Sequence, residues 1–212
     1  MRKKLILLIP AFLAGMLFLA YTLLVKFDLF TQLDFNTTVR IQNNIPFSLD
    51  RPFSWFSLIG SIEVLSLILL VTLLLTRRVF NFVVFVIFLG AHGVELLGKL
   101  FLDHPGPPYM FFRYDLGFFF PSTYVQTGSS YPSGHSMRTV FLAYLFAYLT
   151  IRAKNISSSF KLVILSLIGI FVVIMLISRV SLGEHWSTDV IGGTLLGIAF
   201  SSLSTALLLP RK

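Results

Sequence analysis

The sequence contains no cysteine and few charged residues, and each shortage excludes a class of protein. The lack of cysteine excludes disulfide bonds, thiolate metal sites and a cysteine nucleophile. Only 12% of the 212 residues are charged, whereas 56% are hydrophobic. A soluble domain carries about 25% charged residues, and a water-soluble core of this size could not bury so much apolar surface. The composition therefore predicts a membrane-embedded chain, and its length fits one integral membrane domain over residues 1–212.

A bilayer-spanning helix needs about 20 apolar residues, and six stretches of the sequence approach that length. We predict an all-α polytopic fold in which six transmembrane helices form a bundle: Leu5–Val25, Trp55–Leu75, Val79–Leu102, Ser136–Ile151, Phe160–Ser178 and Val190–Leu209. The first stretch is long and no clear cleavage site ends it, which favours a retained anchor over a signal peptide. Gly192, Gly193 and Gly197 in the last stretch are expected to allow close helix packing within the bundle.

The basic residues are concentrated on one side of this predicted topology. If the N-terminus is cytoplasmic, all nine acidic residues fall toward the opposite side. This positive-inside pattern predicts that both termini are cytoplasmic. Topology then explains the net charge of +8, so no nucleic-acid partner is expected. The cytoplasmic basic residues are Arg2, Lys3, Lys4, Arg77, Arg78, Arg152, Lys154, Lys161, Arg211 and Lys212.

Two long segments, Lys26–Ser54 and Asp103–Tyr131, are predicted to be loops on the non-cytoplasmic side. The second is rich in aromatic residues, which fit either an aromatic belt at headgroup level or a lipid-facing wall that admits a substrate with acyl chains. The two interpretations are compatible. The aromatic residues are Tyr109, Phe111, Phe112, Tyr114, Phe118, Phe119, Phe120 and Tyr124.

Charged residues within the third span need a partner or a function, because a charge deep in a bilayer costs roughly 2.5–3.5 kcal/mol. His92, Glu95 and Lys99 all lie in this span. Glu95 and Lys99 are spaced i,i+4 and can pair on one helix face. The pair is either a structural ion pair near the outer boundary or a means of projecting Lys99 into an outward cavity.

The fourth span begins with the sequence Pro132-Ser133-Gly134-His135. Ser133 is a candidate N-cap, and Gly134 allows a ligand to approach the backbone closely. A helix N-terminus presents unpaired N–H groups and the positive end of a dipole, which suits phosphate. The same residues would also be found at an ordinary capped helix start.

The segment before the sixth span reads Ser178-Arg179 and, after five residues, His185-Trp186-Ser187-Thr188-Asp189. His185 and Asp189 are spaced i,i+4, so the carboxylate can orient the imidazole and stabilise positive charge on it. A buried structural His–Asp hydrogen bond is the alternative. The predicted topology places Lys99, His135 and His185 at one depth on the outer face, which favours a shared site.

These motifs resemble the signature of the type 2 phosphatidic acid phosphatase superfamily. That signature combines Lys-x6-Arg-Pro, Pro-Ser-Gly-His and Ser-Arg-x5-His-x3-Asp. The second and third parts are complete in this chain, and Lys99 begins the first part. Gly106-Pro107 stands where Arg-Pro is expected, so one phosphate-binding cation is missing. The resemblance implies a lipid phosphatase with active-site segments at 99–108, 131–138 and 178–189.

Two arginines could replace the missing cation. Arg138 lies three residues after His135, and Arg113 lies in the second outer segment. We favour Arg138 because its position three residues after His135 in the fourth span places it beside the site. The alternative for Arg138 is a side chain that extends toward the membrane interface.

The resemblance implies a catalytic centre of His185, His135 and Asp189. His185 is the nucleophile that becomes a phosphohistidine, Asp189 orients it, and His135 is the general acid and base. Lys99, Arg179, Ser133 and Gly134 would hold the phosphoryl oxygens. No cofactor and no metal are expected, because Lys99 and Arg179 would repel a divalent cation and no third ligand is evident.

The expected substrate is an outer-leaflet lipid phosphate in a bacterial cell membrane, with no obligate protein partner. Polyprenyl diphosphate, phosphatidic acid and phosphatidylglycerol phosphate are candidates, and undecaprenyl diphosphate is the first choice. Two alternatives are a lipid phosphotransferase of the same fold and a non-catalytic protein that binds or transports lipid phosphates. Intact His135, His185 and Asp189 count against the second alternative, since binding alone requires none of them.

Overall fold

The computed structural model describes residues 2–75, 82–118, 120 and 128–208, and all regular structure within them is helical. Short 3-10 turns lie at Phe47–Leu49, Leu58–Gly60 and Tyr109–Phe111. The α-helices are α1 (Arg2–Lys26), α2 (Thr31–Asn44), α3 (Asp50–Ser57), α4 (Ile62–Leu75), α5 (Phe82–Phe101), α6 (Gly134–Arg152), α7 (Ser158–Ser181) and α8 (Ser187–Leu208).

Four helices in the described part of the chain are long and apolar enough to cross a membrane: α1, α5, α7 and α8. A bent pair, Phe47–Gly60 with Ile62–Leu75, makes a fifth if it is one span. α6 falls short because its first turn carries His135, Ser136 and Arg138. Six spans and cytoplasmic termini therefore stay predictions. Met1, the start of the predicted third span and the residues after Leu208 lie outside the described residues.

The predicted span Trp55–Leu75 is not one straight helix, because it is broken near its start. α3 ends at Ser57, a 3-10 turn follows, and α4 begins at Ile62 after a bend of 45°. At this break Gly60 packs against the start of α6, where an added Cβ would lie only 2.9 Å from Cδ2 of His135. The Gly60 carbonyl accepts a hydrogen bond from Nε of Arg138 at 3.1 Å. The break thus directs backbone groups toward the predicted site.

The prediction of a loop over Lys26–Ser54 is also wrong, because this segment contains α2 and α3. α2 is polar, and only Asp34 and Thr38 are buried on it, so hydropathy gives no sign of a helix. Tertiary hydrogen bonds hold it instead. Gln42 donates to the carbonyl oxygens of Phe111 at 2.7 Å and Ser181 at 3.0 Å, and Asp34 accepts from the first turn of α8.

α8 is the central helix of the bundle. Within its most apolar window 61% of the residues are buried, against 6% for α7 and 17% for α1. It packs closely on α6 because glycines face that helix. A Cβ on Gly193 would lie 2.3 Å from the Ser133 carbonyl oxygen, and one on Gly197 would lie 2.6 Å from the Met137 carbonyl oxygen. This close approach places the start of α8 beside the start of α6.

Candidate active site

Backbone contacts join the three motif segments. The N–H of Ser133 donates to the carbonyl oxygen of Asp189 at 3.0 Å, which links the second and third motifs. Gly98 packs on the residues before Ser133, since an added Cβ would lie 2.6 Å from Cδ of Pro132. The N–H of Ser130 donates to the carbonyl oxygen of His104 at 2.9 Å. Segments 99–108, 131–138 and 178–189 therefore meet at one place.

The start of α6 has the geometry of a capped helix. Ser133 is completely buried and is the N-cap, as predicted, and its Oγ accepts from the N–H of Ser136 at 3.4 Å and from the Ser136 hydroxyl at 3.1 Å. The Ser133 hydroxyl hydrogen remains available for a ligand oxygen. At Gly134 a Cβ would lie 2.1 Å from Oε1 of Glu95 and 2.7 Å from Nη1 of Arg138. A larger residue at position 134 would therefore require the Glu95 and Arg138 side chains to move.

His135 lies where charges from all three motif segments act on it. Its electrostatic neighbours are Arg179, Arg138, His185 and Lys99. Its ring nitrogens make no hydrogen bond to any residue that the structure describes. An imidazole surrounded by cations and not engaged by the protein is free to exchange a proton with a bound anion.

His185 is held by Asp189 in the turn between α7 and α8. Nδ1 of His185 lies 3.3 Å from Oδ2 of Asp189, and the same oxygen accepts from the N–H of Trp186 at 2.9 Å. Asp189 is completely buried. With Nδ1 on the carboxylate, Nε2 is the ring nitrogen left for chemistry.

Gly183 makes this turn possible. Its φ is +68°, and a Cβ there would lie 2.0 Å from the carbonyl oxygen of Phe111. The chain then folds back so that the N–H groups of Glu184 and His185 both donate to the carbonyl oxygen of Arg179, at 3.2 and 3.3 Å. The turn therefore fixes His185 relative to Arg179.

Arg179 has no exposed surface, and polar partners hold its guanidinium. Nη1 pairs with Oε2 of Glu184, and both Nε and Nη2 lie 3.3 Å from Oγ of Ser178. A buried guanidinium without such partners would be strongly destabilising. The motif analysis did not single out Glu184, although its place between Arg179 and His185 put it inside the motif.

Cations of two motifs converge on one carboxylate, Glu95. Nζ of Lys99 lies 2.9 Å from Oε1 of Glu95. Oε2 of Glu95 lies 3.4 Å from Nη1 of Arg138 and 3.0 Å from Nδ1 of His92. The structural ion pair considered for Lys99 therefore exists. Lys99 carries three donors and uses one here, and its charge still acts on His135. Pairing and phosphate binding are thus compatible for this lysine.

Arg113, the second candidate for the missing cation, is engaged elsewhere. Its Nη2 lies 2.6 Å from Oδ1 of Asp50 and its Nε lies 2.9 Å from Oδ2. It also donates to the carbonyl oxygens of Gln42 and Ile45, both at 3.1 Å, and stacks over the ring of Phe47 at 4.1 Å. Arg113 fastens the outer segments together, whereas Arg138 lies beside His135.

Sequence reasoning missed two residues near Asp189. Asp34 of α2 accepts hydrogen bonds from the Ser187 hydroxyl at 2.6 Å, the Thr188 N–H at 2.9 Å and the Thr188 hydroxyl at 2.6 Å. His104 places Nε2 3.4 Å from Oδ1 of Asp189. Asp34 gave no signal in a segment predicted to be a loop. His104 lies two residues before Gly106, at a variable position of the first motif, so the motif itself did not mark it.

Within the described ranges, no group of three or more His, Asp or Glu side chains is arranged to hold a metal ion. The acidic groups near the site are turned to the protein's own cations and imidazoles. Glu95 meets Lys99 and Arg138, and Glu184 meets Arg179. These side chains suit an anionic group better than a divalent cation.

Comparisons with known proteins show the fold and the family of this chain. Phosphatidylglycerophosphatase B of Bacillus subtilis strain 168 is 37% identical over 73 residues, which are 34% of this chain and 36% of that protein. The fold matches the crystal structure of a transmembrane PAP2-type phosphatidylglycerolphosphate phosphatase from Bacillus subtilis with a TM-score of 0.75. That match has 20% identity and covers 92% of this chain and 94% of the other.

A second solved structure, LpxE of Aquifex aeolicus, matches with a TM-score of 0.61 at 19% identity, over 82% of this chain and 94% of the other. These likenesses, together with the membrane-spanning helices, indicate an integral membrane protein. The sequence pattern of the PAP2 superfamily matches residues 47–211, which include all three motifs. This chain therefore belongs to the PAP2 superfamily, the type 2 phosphatidic acid phosphatases that its motifs resemble.

Proposed function

We propose that the protein is a metal-independent lipid phosphatase that acts at the non-cytoplasmic face of the membrane through a phosphohistidine on His185. One observation carries the proposal: the His185–Asp189 pair, the unengaged His135 and the cations Arg179, Lys99 and Arg138 surround one place. Phosphoryl transfer depends mainly on alignment and on stabilisation of charge, and this cluster supplies both.

In the first step Nε2 of His185 attacks phosphorus while the bond from phosphorus to the leaving oxygen breaks. Asp189 accepts from Nδ1–H and stabilises the positive charge that grows on the ring. His135 gives a proton to the leaving oxygen, so the dephosphorylated lipid departs neutral at that oxygen. Arg179, Lys99 and the N–H groups at the start of α6 bind the equatorial phosphoryl oxygens.

In the second step water attacks the phosphohistidine. His135, now unprotonated, takes a proton from the water, the P–N bond breaks, and inorganic phosphate leaves with His185 restored. The nucleophile and the acid–base group therefore return to their starting states after each turnover. Positioned proton transfer of this kind contributes about 10²–10⁴-fold to the rate.

Among the candidate substrates, the names of the relatives favour phosphatidylglycerol phosphate over undecaprenyl diphosphate and phosphatidic acid. The loss of one motif cation at Gly106 agrees with a monoester, which carries less charge than a diphosphate. The exposed aromatic residues of the segment around Tyr109 support a lipid-facing wall. Tyr109 is 88% exposed and stacks on Phe112. This pair follows Pro105, whose carbonyl oxygen accepts a hydrogen bond from the indole of Trp186.

The test is phosphate release by the purified protein from a panel of these lipids in detergent, with a chelator present. We expect release from the wild type, fastest with phosphatidylglycerol phosphate, and a loss of at least about 10³-fold in His185→Ala, because covalent catalysis disappears with the nucleophile. Arg40→Ala, an exposed change on α2, is the matched control.

Each alternative gives a different result in that assay. A phosphotransferase releases phosphate poorly until an acceptor alcohol is added and then yields a phosphorylated acceptor. A non-catalytic protein binds the lipids without turnover. Activity abolished by the chelator would contradict the metal-independent mechanism.

A further inference from the structure

The second oxygen of the Asp189 carboxylate lacks a firm partner. Oδ2 accepts from Trp186 and faces His185, but Oδ1 makes no hydrogen bond of good geometry to any described residue. The imidazole of His104 stands beside it, with Nε2 at 3.4 Å. A buried carboxylate oxygen left without a donor is destabilising, so a donor at this position has a clear physical purpose.

The neighbours of Nε2 on His104 determine that this nitrogen carries a hydrogen. Oγ1 of Thr188 lies 3.4 Å from it, and this hydroxyl gives its only hydrogen to Oδ2 of Asp34 at 2.6 Å. Toward His104, Thr188 can therefore only accept. Oδ1 of Asp189 is an acceptor as well. Nε2 thus faces two acceptors, which requires an N–H there.

His104 is fixed by the segments on either side of the site. Its carbonyl oxygen accepts from the N–H of Ser130 at 2.9 Å and from the Ser130 hydroxyl at 3.2 Å. Its ring meets the ring of Tyr131 edge to face, with centroids 6.1 Å apart. The indole N–H of Trp186 donates to the carbonyl oxygen of Pro105 at 2.9 Å. These contacts hold the imidazole against Asp189.

We propose that His104 is a positioning residue for the nucleophile: its Nε2–H binds Oδ1 of Asp189, so that Oδ2 is directed at Nδ1 of His185. This inference rests on the proposed function. It adds a residue at a variable position of the first motif, between Lys99 and Gly106. A chain of hydrogen bonds then runs from Asp34 through Thr188 and His104 to Asp189 and His185.

The test compares His104→Phe, which keeps a flat ring against Tyr131 but removes the donor, with His104→Gln, whose amide N–H can reach the same oxygen. We expect His104→Phe to lower kcat by about 10–100-fold, the size of effect seen when the outer hydrogen-bond partner of a metal-bound histidine is removed, with KM within about twofold. Without the donor, Oδ2 of Asp189 is no longer directed at Nδ1 of His185, so the loss falls on kcat rather than on KM. His104→Gln should restore kcat.

A measurement without substrate separates this inference from the proposed function. The chain has four histidines, so ¹⁵N-histidine NMR can follow each ring, with His185 assigned from the spectrum of His185→Ala. We expect the Nδ1–H resonance of His185 to move upfield in His104→Phe relative to the wild type and His104→Gln, because a weaker hydrogen bond to Asp189 deshields this proton less. His104→Leu, with its smaller side chain, serves if the Phe variant does not fold.

The outcomes are distinct. A wild type that releases no phosphate overturns the proposed function, while a shifted His185 Nδ1–H resonance in the same samples still supports the positioning contact. An active wild type with unchanged kcat and an unchanged His185 Nδ1–H resonance in folded His104→Phe overturns the inference alone. A His104→Gln variant as defective as His104→Phe contradicts the assignment of Nε2–H as the acting group.

Discussion

Arg138 illustrates how a single side chain can serve two purposes in this site. It is 6% exposed, donates from Nε to the carbonyl oxygen of Gly60 and pairs through Nη1 with Glu95. It therefore fastens the break before α4 to the start of α6. Its charge also acts on His135, where the phosphoryl group is proposed to bind. Gly106 supplies no cation, so this guanidinium is the best-placed substitute.

We expect Arg138→Ala to weaken binding of inorganic phosphate, the product, by about tenfold or more, because a hydrogen bond to a charged group contributes about 1.5–3 kcal/mol. The measurement is the inhibition constant of phosphate against lipid hydrolysis. Arg138→Lys keeps the charge but not the planar fork and should recover part of the loss. Arg40→Ala is the control. An unchanged inhibition constant in Arg138→Ala would remove Arg138 from the site.

At the scale of whole helices, the site depends on how closely α8 approaches α6. Gly193 and Gly197 lie on the face that meets Ser133 and Met137, so the two backbones nearly touch. The hydrogen bond from Ser133 N–H to the Asp189 carbonyl oxygen exists only at this separation. The close packing of α8 on α6 therefore determines the distance between the second and third motifs.

Gly193→Ala should therefore force the two helices apart, since its Cβ would lie 2.3 Å from a backbone oxygen that cannot move aside. Overpacking of this kind costs about 1–3 kcal/mol, so we expect a lower melting temperature and reduced activity together. Gly169→Ala is the matched control, because nothing lies within 4 Å of its Cβ. That change should be neutral or slightly stabilising, since alanine favours helix by about 1 kcal/mol over glycine. Equal melting temperatures for the two variants would contradict the close packing.

The sequence predicted several of the apolar helices and the contact between His185 and Asp189, because both leave strong local signals. Long apolar runs identified α5, α7 and α8, and fixed spacing identified His185 with Asp189. Features that depend on contacts between distant segments could not be predicted. α2 has no apolar stripe of its own and is held by Asp34 and Gln42, and the break at Gly60 is stabilised by Arg138.

At the scale of the whole molecule, the orientation in the membrane determines which leaflet supplies the substrate. The positive-inside pattern predicts that the connection between α6 and α7, with Lys154, lies on the cytoplasmic side and the segment around Tyr109 on the other. That segment adjoins the site, because Pro105 accepts from the indole of Trp186, next to His185. The side on which Tyr109 lies is therefore the side on which the site opens.

The lack of native cysteine allows a direct test of this orientation, because any introduced thiol is unique. Tyr109→Cys and Asn155→Cys both replace exposed residues, one in each connection. We expect a membrane-impermeant maleimide to label Tyr109→Cys in intact cells and Asn155→Cys only after the membrane is opened. Phosphate release by each variant confirms that the protein is folded. The opposite labelling pattern would turn the site toward the cytoplasm, and the substrate would then have to come from the inner leaflet.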